Sequence, residues 1–195
     1  LGFNRVYVHL AEKFGYRPWF RALKAGHSFA TNGPMLFLTV NGREPGDTVT
    51  IPAAATRPAR RLRIHAEAIM AGELERVEIV WNGKVIKAES APERLASLAV
   101  DAELDAATTG WVAARAFGKS SPSIRFAHTS PVYVQVGQER GIVTEDVKFF
   151  LAWIDREIEF YKRQSGFKTE SDRQAMLAVF RQARRVYAGL LASAR

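Results

Sequence analysis

The segment Ser28-Phe29-Ala30-Thr31-Asn32-Gly33-Pro34-Met35-Leu36-Phe37-Leu38-Thr39-Val40-Asn41-Gly42 decides the fold, because a helical pattern gives way there to a series of strands. Its apolar residues recur at period two, which is typical of strands with one buried face. Asn32-Gly33-Pro34 interrupts the alternation with residues that suit a turn and cannot continue a ladder. The segment therefore predicts a strand, a kink and a second strand at the entry to a β-sandwich.

The same alternation continues to about residue 137. Asn82-Gly83 is the strongest turn signal, because a type I′ hairpin turn needs two positive φ angles that this pair supplies easily. The pattern predicts strands over 35–41, 47–51, 61–70, 74–81, 84–88, 95–104, 110–117 and 131–136. About eight short strands without helices between them favour an immunoglobulin-like antiparallel β-sandwich. We expect its core to contain Trp111, Val112 and Phe117.

Helical periodicity precedes this region. Residues 5–10 predict a short strand, and residues 17–26 predict a helix of two to three turns that ends at Gly26. Pro18 suits the first turn of such a helix, and Trp19 lies on its apolar side.

Two further helices are predicted beyond Gly141. Thr144 is the expected N-cap of the first, which Gly166 ends, and Ser171 with Gln174 forms a capping box for the second. Each helix has an apolar stripe. The stripes consist of Val147, Phe150, Leu151, Ile154, Ile158 and Tyr161, and of Met176, Leu177, Phe180, Ala183, Tyr187, Leu190 and Leu191. The short link favours an antiparallel hairpin. The predicted fold class is thus mainly β with α, a sandwich followed by a C-terminal helical hairpin.

Composition excludes several classes of protein. The 195 residues are 47% apolar and 25% charged, as in ordinary globular domains. No apolar run reaches the ~18 residues of a membrane helix, and no signal peptide is recognisable. With no cysteine, the chain has no disulfide, thiolate site or cysteine nucleophile. Because it begins at Leu1 without Met, we expect a piece of a longer polypeptide, for which a cell-envelope or secreted location is compatible and the compartment stays open.

The net charge of +8 is not concentrated in one region. Residues 1–143 carry 18 Lys and Arg against 13 Asp and Glu, and residues 144–195 carry 10 against 7. The one dense basic run, Arg57-Pro58-Ala59-Arg60-Arg61-Leu62-Arg63, falls where a loop meets a strand. Since binding to phosphates needs a basic patch and not only an excess of charge, we expect no nucleic-acid partner.

No complete catalytic or metal-binding motif is present. The four histidines, His9, His27, His65 and His128, lack the spacing of metal ligands, and a G-x-S-x-G turn is absent. We interpret the histidines as structural or surface residues, with His128 the best candidate for a functional role because we place it on a polar turn before a strand. The acidic residues of 67–78 are interpreted as the solvated face of a sheet.

Four aromatic residues offer an alternative function. Trp81, Trp111, Tyr133 and Trp153 could stack on sugar rings, as in sandwich modules that bind glycans. All four occupy apolar positions of strands or helices, which favours a place in the core. A glycan- or envelope-binding module therefore stays the second hypothesis.

Several strings resemble one family. They are Arg5-Val6-Tyr7-Val8, Trp19 to Pro34 with Thr31-Asn32-Gly33-Pro34, Val40 to Asp47, Gly110 to Arg115, Ala127-His128-Thr129-Ser130-Pro131-Val132-Tyr133-Val134, Phe150 to Asp155 and Ala183 to Tyr187. Together they resemble the C-terminal part of CehA/McbA-type metallohydrolases of the PHP superfamily. The T-N-G-P and H-T-S-P-V-Y-V strings are the most specific.

The resemblance implies a metal-dependent hydrolase whose catalytic domain precedes this region and carries the His and Asp ligands of a divalent metal. No catalytic, cofactor-binding or metal-ligating residue transfers to this chain, because the H-x-H opening is missing. By this analogy residues 1–26 are the tail of the upstream domain, 27–140 an accessory sandwich and 141–195 a helical hairpin packed on it. The expected role is to pack on the catalytic domain, the expected partner, and to shape its entrance, where we expect Asn32 and His128. The bond hydrolysed, ester, carbamate or phosphoester, and the oligomeric state are left open.

Overall fold

The structure, a computed structural model, describes residues 3–54, 60–92, 95–119 and 123–193. The chain divides into two compact units, Leu1–Glu139 and Arg140–Arg195. The described part of the first unit contains eleven strands and one helix, and that of the second contains two helices. The predicted mainly-β class with helices at the C-terminus is confirmed.

The elements follow one another in this order. The strands are β1 (Arg5–Val8), β2 (Ser28–Thr31), β3 (Met35–Val40), β4 (Thr48–Ile51), β5 (Arg61–Ile69), β6 (Leu74–Trp81), β7 (Lys84–Ser90), β8 (Ser97–Asp105), β9 (Gly110–Gly118), β10 (Arg125–Thr129) and β11 (Val132–Val136). The helices are α1 (Tyr16–Ala25), α2 (Thr144–Arg163) and α3 (Glu170–Ser193).

Two sheets form the sandwich. The large sheet has the order β1-β2-β10-β9-β11-β4, and β6, which carries β7 as its outer neighbour, pairs along the other edge of β9. The small sheet has the order β3-β5-β8. All pairs are antiparallel except β4 with β11, which are parallel. The chain passes from the large to the small sheet between β2 and β3, which is the kink that the opening segment predicts.

Alternation on the strands builds the core. One face of most strands, though not of β1 or β7, is buried in a single apolar cluster, with Leu36, Ile64, Ile79, Val112 and Val134 among its members. Burial of such aliphatic side chains contributes about 1.5–3 kcal/mol each to stability. The sandwich is therefore held together mainly by the apolar layer between its sheets.

Two hairpins contain the expected left-handed residues. Asn82 and Gly83 have φ angles of 46° and 81°, and β6 and β7 pair on either side of them. This confirms the tight turn that the Asn-Gly pair predicts. Asn41 and Gly42, with φ angles of 49° and 76°, form a similar turn after β3, so the longer 41–47 turn begins with a tight one.

Three sequence expectations on strands are wrong, those for His128, Trp111 and Phe117. His128 lies within β10 and not on a turn before a strand. β10 was missed because its inward residues, Ala127 and Thr129, are small or polar and give a weak apolar signal. Trp111 is 37% exposed, because odd-numbered residues of β9 face outward while Val112 faces the core. Phe117 lies on that same outer face and is half-buried.

The helical unit is an antiparallel hairpin. Contacts run in opposite directions along its helices, from Phe150 with Tyr187 to Tyr161 with Phe180. Ile154, Ile158 and Leu177 form its buried centre. The predicted stripes hold for these residues, but Met176 is exposed.

The ends of these helices differ from the predicted ones. Val143 is the N-cap of α2, so Thr144 is its first helical residue, and α2 ends at Arg163 before Gly166 is reached. The capping box of α3 consists of Thr169 and Asp172, not of Ser171 and Gln174. In Thr169-Glu170-Ser171-Asp172 both hydroxyl residues fit the capping pattern, and the structure selects the earlier one.

Some predicted features lie outside the described residues. They are Arg57-Pro58-Ala59 of the basic run and Ser120-Ser121-Pro122 of the loop after β9. Of the rest of the basic run, Arg61 lies on β5 with acidic neighbours on β8, 3.3 Å from Glu103 and 3.9 Å from Asp105.

Candidate functional site

Asn32 lies in the crossing between the sheets. Its side chain is buried, its Nδ2 donates to the Ile124 carbonyl over 2.9 Å, and its Oδ1 accepts from the Phe126 amide over 2.7 Å. Beside it, the Thr31 hydroxyl donates to the Pro34 carbonyl and accepts from the Gly33 amide. Both ends of the Asn32 amide therefore bind the backbone leading into β10, and the T-N-G-P string fixes this crossing.

His128 lies on the outer face of the large sheet. It is exposed, its ring stacks on that of Phe126 at 6.3 Å, and it is paired in register with Ala30 on β2 and Arg115 on β9. Asn32 follows β2 directly and His128 lies on the adjacent β10, but Asn32 is buried in the crossing and His128 faces solvent. The structure does not bring them into one polar cluster.

A charged clamp occupies the centre of this outer face. Glu78 accepts from Arg76 Nε over 2.8 Å and from Arg115 Nε over 2.9 Å, and Arg76 also binds Glu75. The Arg76 guanidinium lies 3.8 Å from the centre of the Phe117 ring. Two arginines and two glutamates balance one another, so we assign the clamp to stability and not to anion binding.

The clamp perturbs the ionisation of its members. Burial opposes ionisation of Glu78, but the hydrogen bond from Arg76 and the charge and hydrogen bond of Arg115 outweigh it. The pKa of Glu78 is therefore lower than its ordinary value of 4.5. The hydrogen bond to Glu78 likewise raises the pKa of Arg76.

Two aromatic residues stand exposed at one end of the outer face. Trp111 on β9 and Tyr133 on β11 are paired in register, with exposures of 37% and 49%. Trp153 on α2 is exposed as well, whereas Trp81 packs against the core cluster. The expectation of a core position is correct for Trp81 and wrong for the other three aromatic residues.

All four histidines have protein partners, that of His128 being the Thr129 carbonyl at 3.5 Å from its Nδ1. His9 Nδ1 contacts Glu44 Oε2, His27 Nδ1 is 2.8 Å from the Pro45 carbonyl, and His65 Nδ1 is 2.8 Å from Asp101 Oδ1. Within the four described ranges, no three His, Cys, Asp or Glu side chains come together in a way that could hold a metal ion. The ligand set that the resemblance implies is therefore not assembled by these residues.

His65 and Asp101 also line an open hollow on the outer face of the small sheet. The hollow has a volume of about 820 Å³ and includes Arg61, Arg63 and Glu103. Arg61 and Glu103 form a cross-strand ion pair at 3.3 Å, with both side chains about half exposed. Such exposed pairs of both signs are usual on the solvated face of a sheet.

Helix α1 is joined to the sandwich at its C-terminal end. The amides of Gly26 and His27 donate to the carbonyls of Leu23 and Ala22, which is a Schellman motif. Gly46 packs directly on this end: a Cβ built on Gly46 would lie 2.4 Å from the Ala25 carbonyl oxygen. The Gly46 amide also donates to the Pro131 carbonyl over 2.8 Å. The helix end, the 41–47 turn and the β10–β11 connection therefore meet at one point.

The start of α1 and the segment just before it expose an aromatic surface, which we call the α1 aromatic face: Phe14, which precedes the helix, and Tyr16, Trp19 and Phe20, which lie on it. Phe14 and Tyr16 are 77% and 76% exposed, and Phe20 is about half exposed. The Phe20 ring contacts those of Tyr16 at 4.6 Å and Trp19 at 5.0 Å. The helix buries no residue. Clustered exposed aromatics of this kind mark interaction surfaces.

Comparisons with known proteins leave the family undecided. No family model matches the chain, and no curated protein matches it. The resemblance to CehA/McbA-type hydrolases therefore depends on the strings quoted above. None of the described helices combines the length and the apolar character needed to cross a membrane.

Sequence reasoning missed the α1 aromatic face and the clamp. Phe14 and Tyr16 lie just before the predicted helix. A helical pattern shows which residues share one face of the helix, but it does not show whether that face packs against the rest of the protein. The clamp depends on the register that places Glu78 opposite Arg115. A Glu among outward positions of a strand gives no signal of such a pairing.

Proposed function

We propose that this chain is a non-catalytic accessory region of a metal-dependent hydrolase, which packs on an upstream catalytic domain of the same polypeptide. The proposal places the divalent metal and its ligands in that upstream domain. The chain would contribute a stable sandwich and an apolar docking surface. A contribution to the shape of the catalytic entrance follows if the docked region lies beside it.

The α1 aromatic face is the observation that carries this proposal. A ten-residue helix is only marginally stable in water unless it packs against something. This one is held at its C-terminus and leaves Phe14, Tyr16 and Phe20 to solvent. Burying each aromatic side chain would contribute about 1.5–3 kcal/mol. A catalytic domain that covered this face would supply the missing contact.

The two polar residues expected at the entrance receive different roles in the proposal. Asn32 would act indirectly, because its amide is fully engaged with the backbone near β10. His128 is exposed, and although its ring stacks on Phe126 and its Nδ1 lies 3.5 Å from the Thr129 carbonyl, it can face a neighbouring domain. We therefore expect His128→Ala to change the interaction more than the fold, and Asn32→Ala to change mainly the fold.

The test begins with the coding sequence upstream of Leu1, where the proposal expects the H-x-H and other PHP ligand motifs. The catalytic domain found there is expressed separately and titrated with this chain by calorimetry. We expect Tyr16→Ser and Phe20→Ser each to weaken binding by about 30-fold, since aromatic anchors at an interface contribute about 2 kcal/mol or more.

Phe149→Ser is the matched control, because the exposure of Phe149, 61%, lies between those of Tyr16 and Phe20, 76% and 48%, but Phe149 is on α2. Its binding should equal that of the unchanged chain. The proposal is refuted if no ligand motifs precede Leu1, or if the catalytic domain binds all three variants as tightly as the unchanged chain.

The exposed pair of Trp111 and Tyr133 favours a second candidate, an autonomous module that binds glycans. Adjacent aromatic side chains on a sheet can stack on the apolar faces of successive sugar rings. A pull-down with insoluble cellulose, chitin and peptidoglycan tests this function. Retention that is lost in Trp111→Ala and Tyr133→Ala, but kept in Trp153→Ala, would support it, and absence of retention on all three polymers would count against it.

A further inference from the structure

A cleft opens along one side of the sandwich, between the large and the small sheet. Its volume is about 430 Å³, within the range of clefts that bind small molecules. β1, the outermost strand of the large sheet, borders it on one side, and β3, an edge strand of the small sheet, borders it on the other. We call it the edge cleft. None of the four residues of the α1 aromatic face lines it.

Aromatic side chains form one end of the edge cleft. Tyr7 on β1 stacks on Phe29 on β2, with ring centres 5.2 Å apart. Phe29 in turn meets Phe37 on β3 edge-on, with ring centres 6.2 Å apart. Tyr7 and Phe37 are 37% and 48% exposed, so both rings are open to a ligand. Leu36 and Leu38 are buried, so a ligand here meets side chains and not the backbone of β3.

Hydrogen-bonding groups gather at the other end. The His9 amide donates to the His27 carbonyl over 2.8 Å, so these histidines lie opposite each other just beyond the paired part of β1 and β2. His9 Nδ1 contacts the Glu44 carboxylate, and His27 Nδ1 lies 2.8 Å from the Pro45 carbonyl oxygen. The turn after β3 therefore closes this end of the cleft with one carboxylate and two imidazole rings.

The free atoms of this polar end are acceptors. A carbonyl oxygen can only accept, so His27 Nδ1 carries the proton that it donates to Pro45. In the neutral ring Nε2 then has a lone pair, to which no residue of the described ranges donates. His9 likewise donates from Nδ1 to Glu44, which leaves its Nε2 as an acceptor. A ligand group bound at this end must therefore donate hydrogen bonds.

Charge narrows the class of ligand further. Within the part of the chain that the structure describes, no Lys or Arg lines the edge cleft, although the sequence contains 28 of them. The Glu44 carboxylate favours a cation, and so do the faces of the aromatic rings at the other end. An anionic ligand would find no Lys or Arg partner. The lining is thus complementary to a positive charge, in a protein whose net charge is itself +8.

We propose that the edge cleft binds a small organic cation, an amine joined to a flat apolar body. The flat body packs against Tyr7 and Phe37, and the ammonium group donates hydrogen bonds to Glu44 and to the imidazole Nε2 atoms of the polar end. The cleft needs no change in the backbone of β3 to accept this ligand. The site is independent of any catalytic domain docked on α1.

Three indole compounds of similar size test the proposal. Tryptamine carries an ammonium group, tryptophol a neutral hydroxyl and indole-3-acetate a carboxylate. Each is titrated into the chain at neutral pH and followed by nuclear magnetic resonance. We expect saturable binding of tryptamine, with chemical shift changes concentrated on the residues of the edge cleft. The Kd of tryptophol should be about tenfold higher, and indole-3-acetate should not saturate. Because a net charge of +8 attracts anions in general, only the local lining can produce this order.

Two substitutions, each with a matched control, test the two ends of the cleft. Glu44→Gln should reduce the preference for tryptamine over tryptophol to about twofold and leave tryptophol binding unchanged. Asp101→Asn is its control and should keep the full preference, because Asp101 forms a similar pair with His65 outside the cleft. Phe37→Ala should weaken the binding of both compounds by about fivefold. Phe126→Ala, which removes a comparably exposed ring on β10, should weaken neither.

Several results would overturn the proposal. Equal binding of tryptamine and tryptophol would mean that the polar end does not recognise charge, and tighter binding of indole-3-acetate would mean that the overall positive charge governs. Chemical shift changes on Trp111 and Tyr133 instead of the edge cleft, or no saturable binding of tryptamine, would also refute it. Circular dichroism verifies the fold of each variant. If Phe37→Ala is unfolded, Phe37→Leu replaces it, since leucine keeps an apolar side chain but has no ring.

Discussion

Replacement of Gly46 by alanine probes the point where α1 joins the sandwich. Gly46 has a φ angle of +93°, which costs an L-residue on the order of 1 kcal/mol. Its Cβ would also lie 2.4 Å from the Ala25 carbonyl oxygen and 2.9 Å from the Gly26 carbonyl carbon. These are backbone atoms that no rotamer change can move. Overpacking of this kind typically costs 1–3 kcal/mol, so we expect Gly46→Ala to destabilise the first unit by about 2–4 kcal/mol.

Gly42→Ala is the matched control for this prediction. Gly42 lies in the same turn with a φ angle of +76°, but no heavy atom lies within 4 Å of a Cβ built there. The unfolding free energy of Gly42→Ala should therefore fall by only about 1 kcal/mol, the cost of placing an L-residue at positive φ. Urea unfolding monitored by circular dichroism measures both variants.

The contact also predicts a local effect. Because Gly46 supports the end of α1, Gly46→Ala should speed trypsin cleavage after Arg21 and Lys24, while Gly42→Ala should not. Equal unfolding free energies for the two variants would refute the close approach of the turn to the helix end.

Three further predictions concern stability. Glu78→Gln should cost about 2 kcal/mol at pH 7. The pKa of Glu78 in the folded protein is lower than its ordinary value of 4.5, so the loss of unfolding free energy in Glu78→Gln should be complete above pH 4.5 and should shrink as the pH falls below it. A loss that grows in acid would contradict the clamp. Gly83→Val should cost about 1 kcal/mol or more through its forced positive φ, and an unchanged melting temperature would argue against the type I′ turn. Thr169→Ala should destabilise the helical unit by about 1 kcal/mol, and Ser171→Ala by much less. A lower melting temperature for Ser171→Ala than for Thr169→Ala would instead indicate that Ser171 caps the helix.

Most of the strand pattern follows from the sequence for a simple physical reason. Strands such as β5 have one buried and one solvent-exposed face, so the buried Leu62, Ile64, Ala66 and Ala68 alternate mainly with polar residues. β10 has no such contrast, because Ala127 and Thr129 fill its inner face, and its existence depends on pairing with β2 and β9. Strands that alternate between buried and exposed residues can therefore be predicted from the sequence, whereas strands that depend on pairing with their neighbours cannot.

The surfaces were harder to predict than the fold. Whether Trp111 faces the core depends on the register of β9, which also fixes its neighbour Tyr133. Whether β3 is an edge depends on sheet order, which no local pattern encodes. Asn32 shows the converse: its place in a turn was readable, but the bonds from its amide to the backbone near β10 join residues more than ninety positions apart.

Hydroxyl-radical footprinting of the full-length polypeptide, compared with this chain alone, tests the docking role of α1 most directly. We expect Phe14, Tyr16 and Phe20 to be labelled strongly in the isolated chain and several-fold less in the full-length protein, while labelling of Phe149 stays the same. Equal labelling of the α1 aromatic face in both proteins would contradict it.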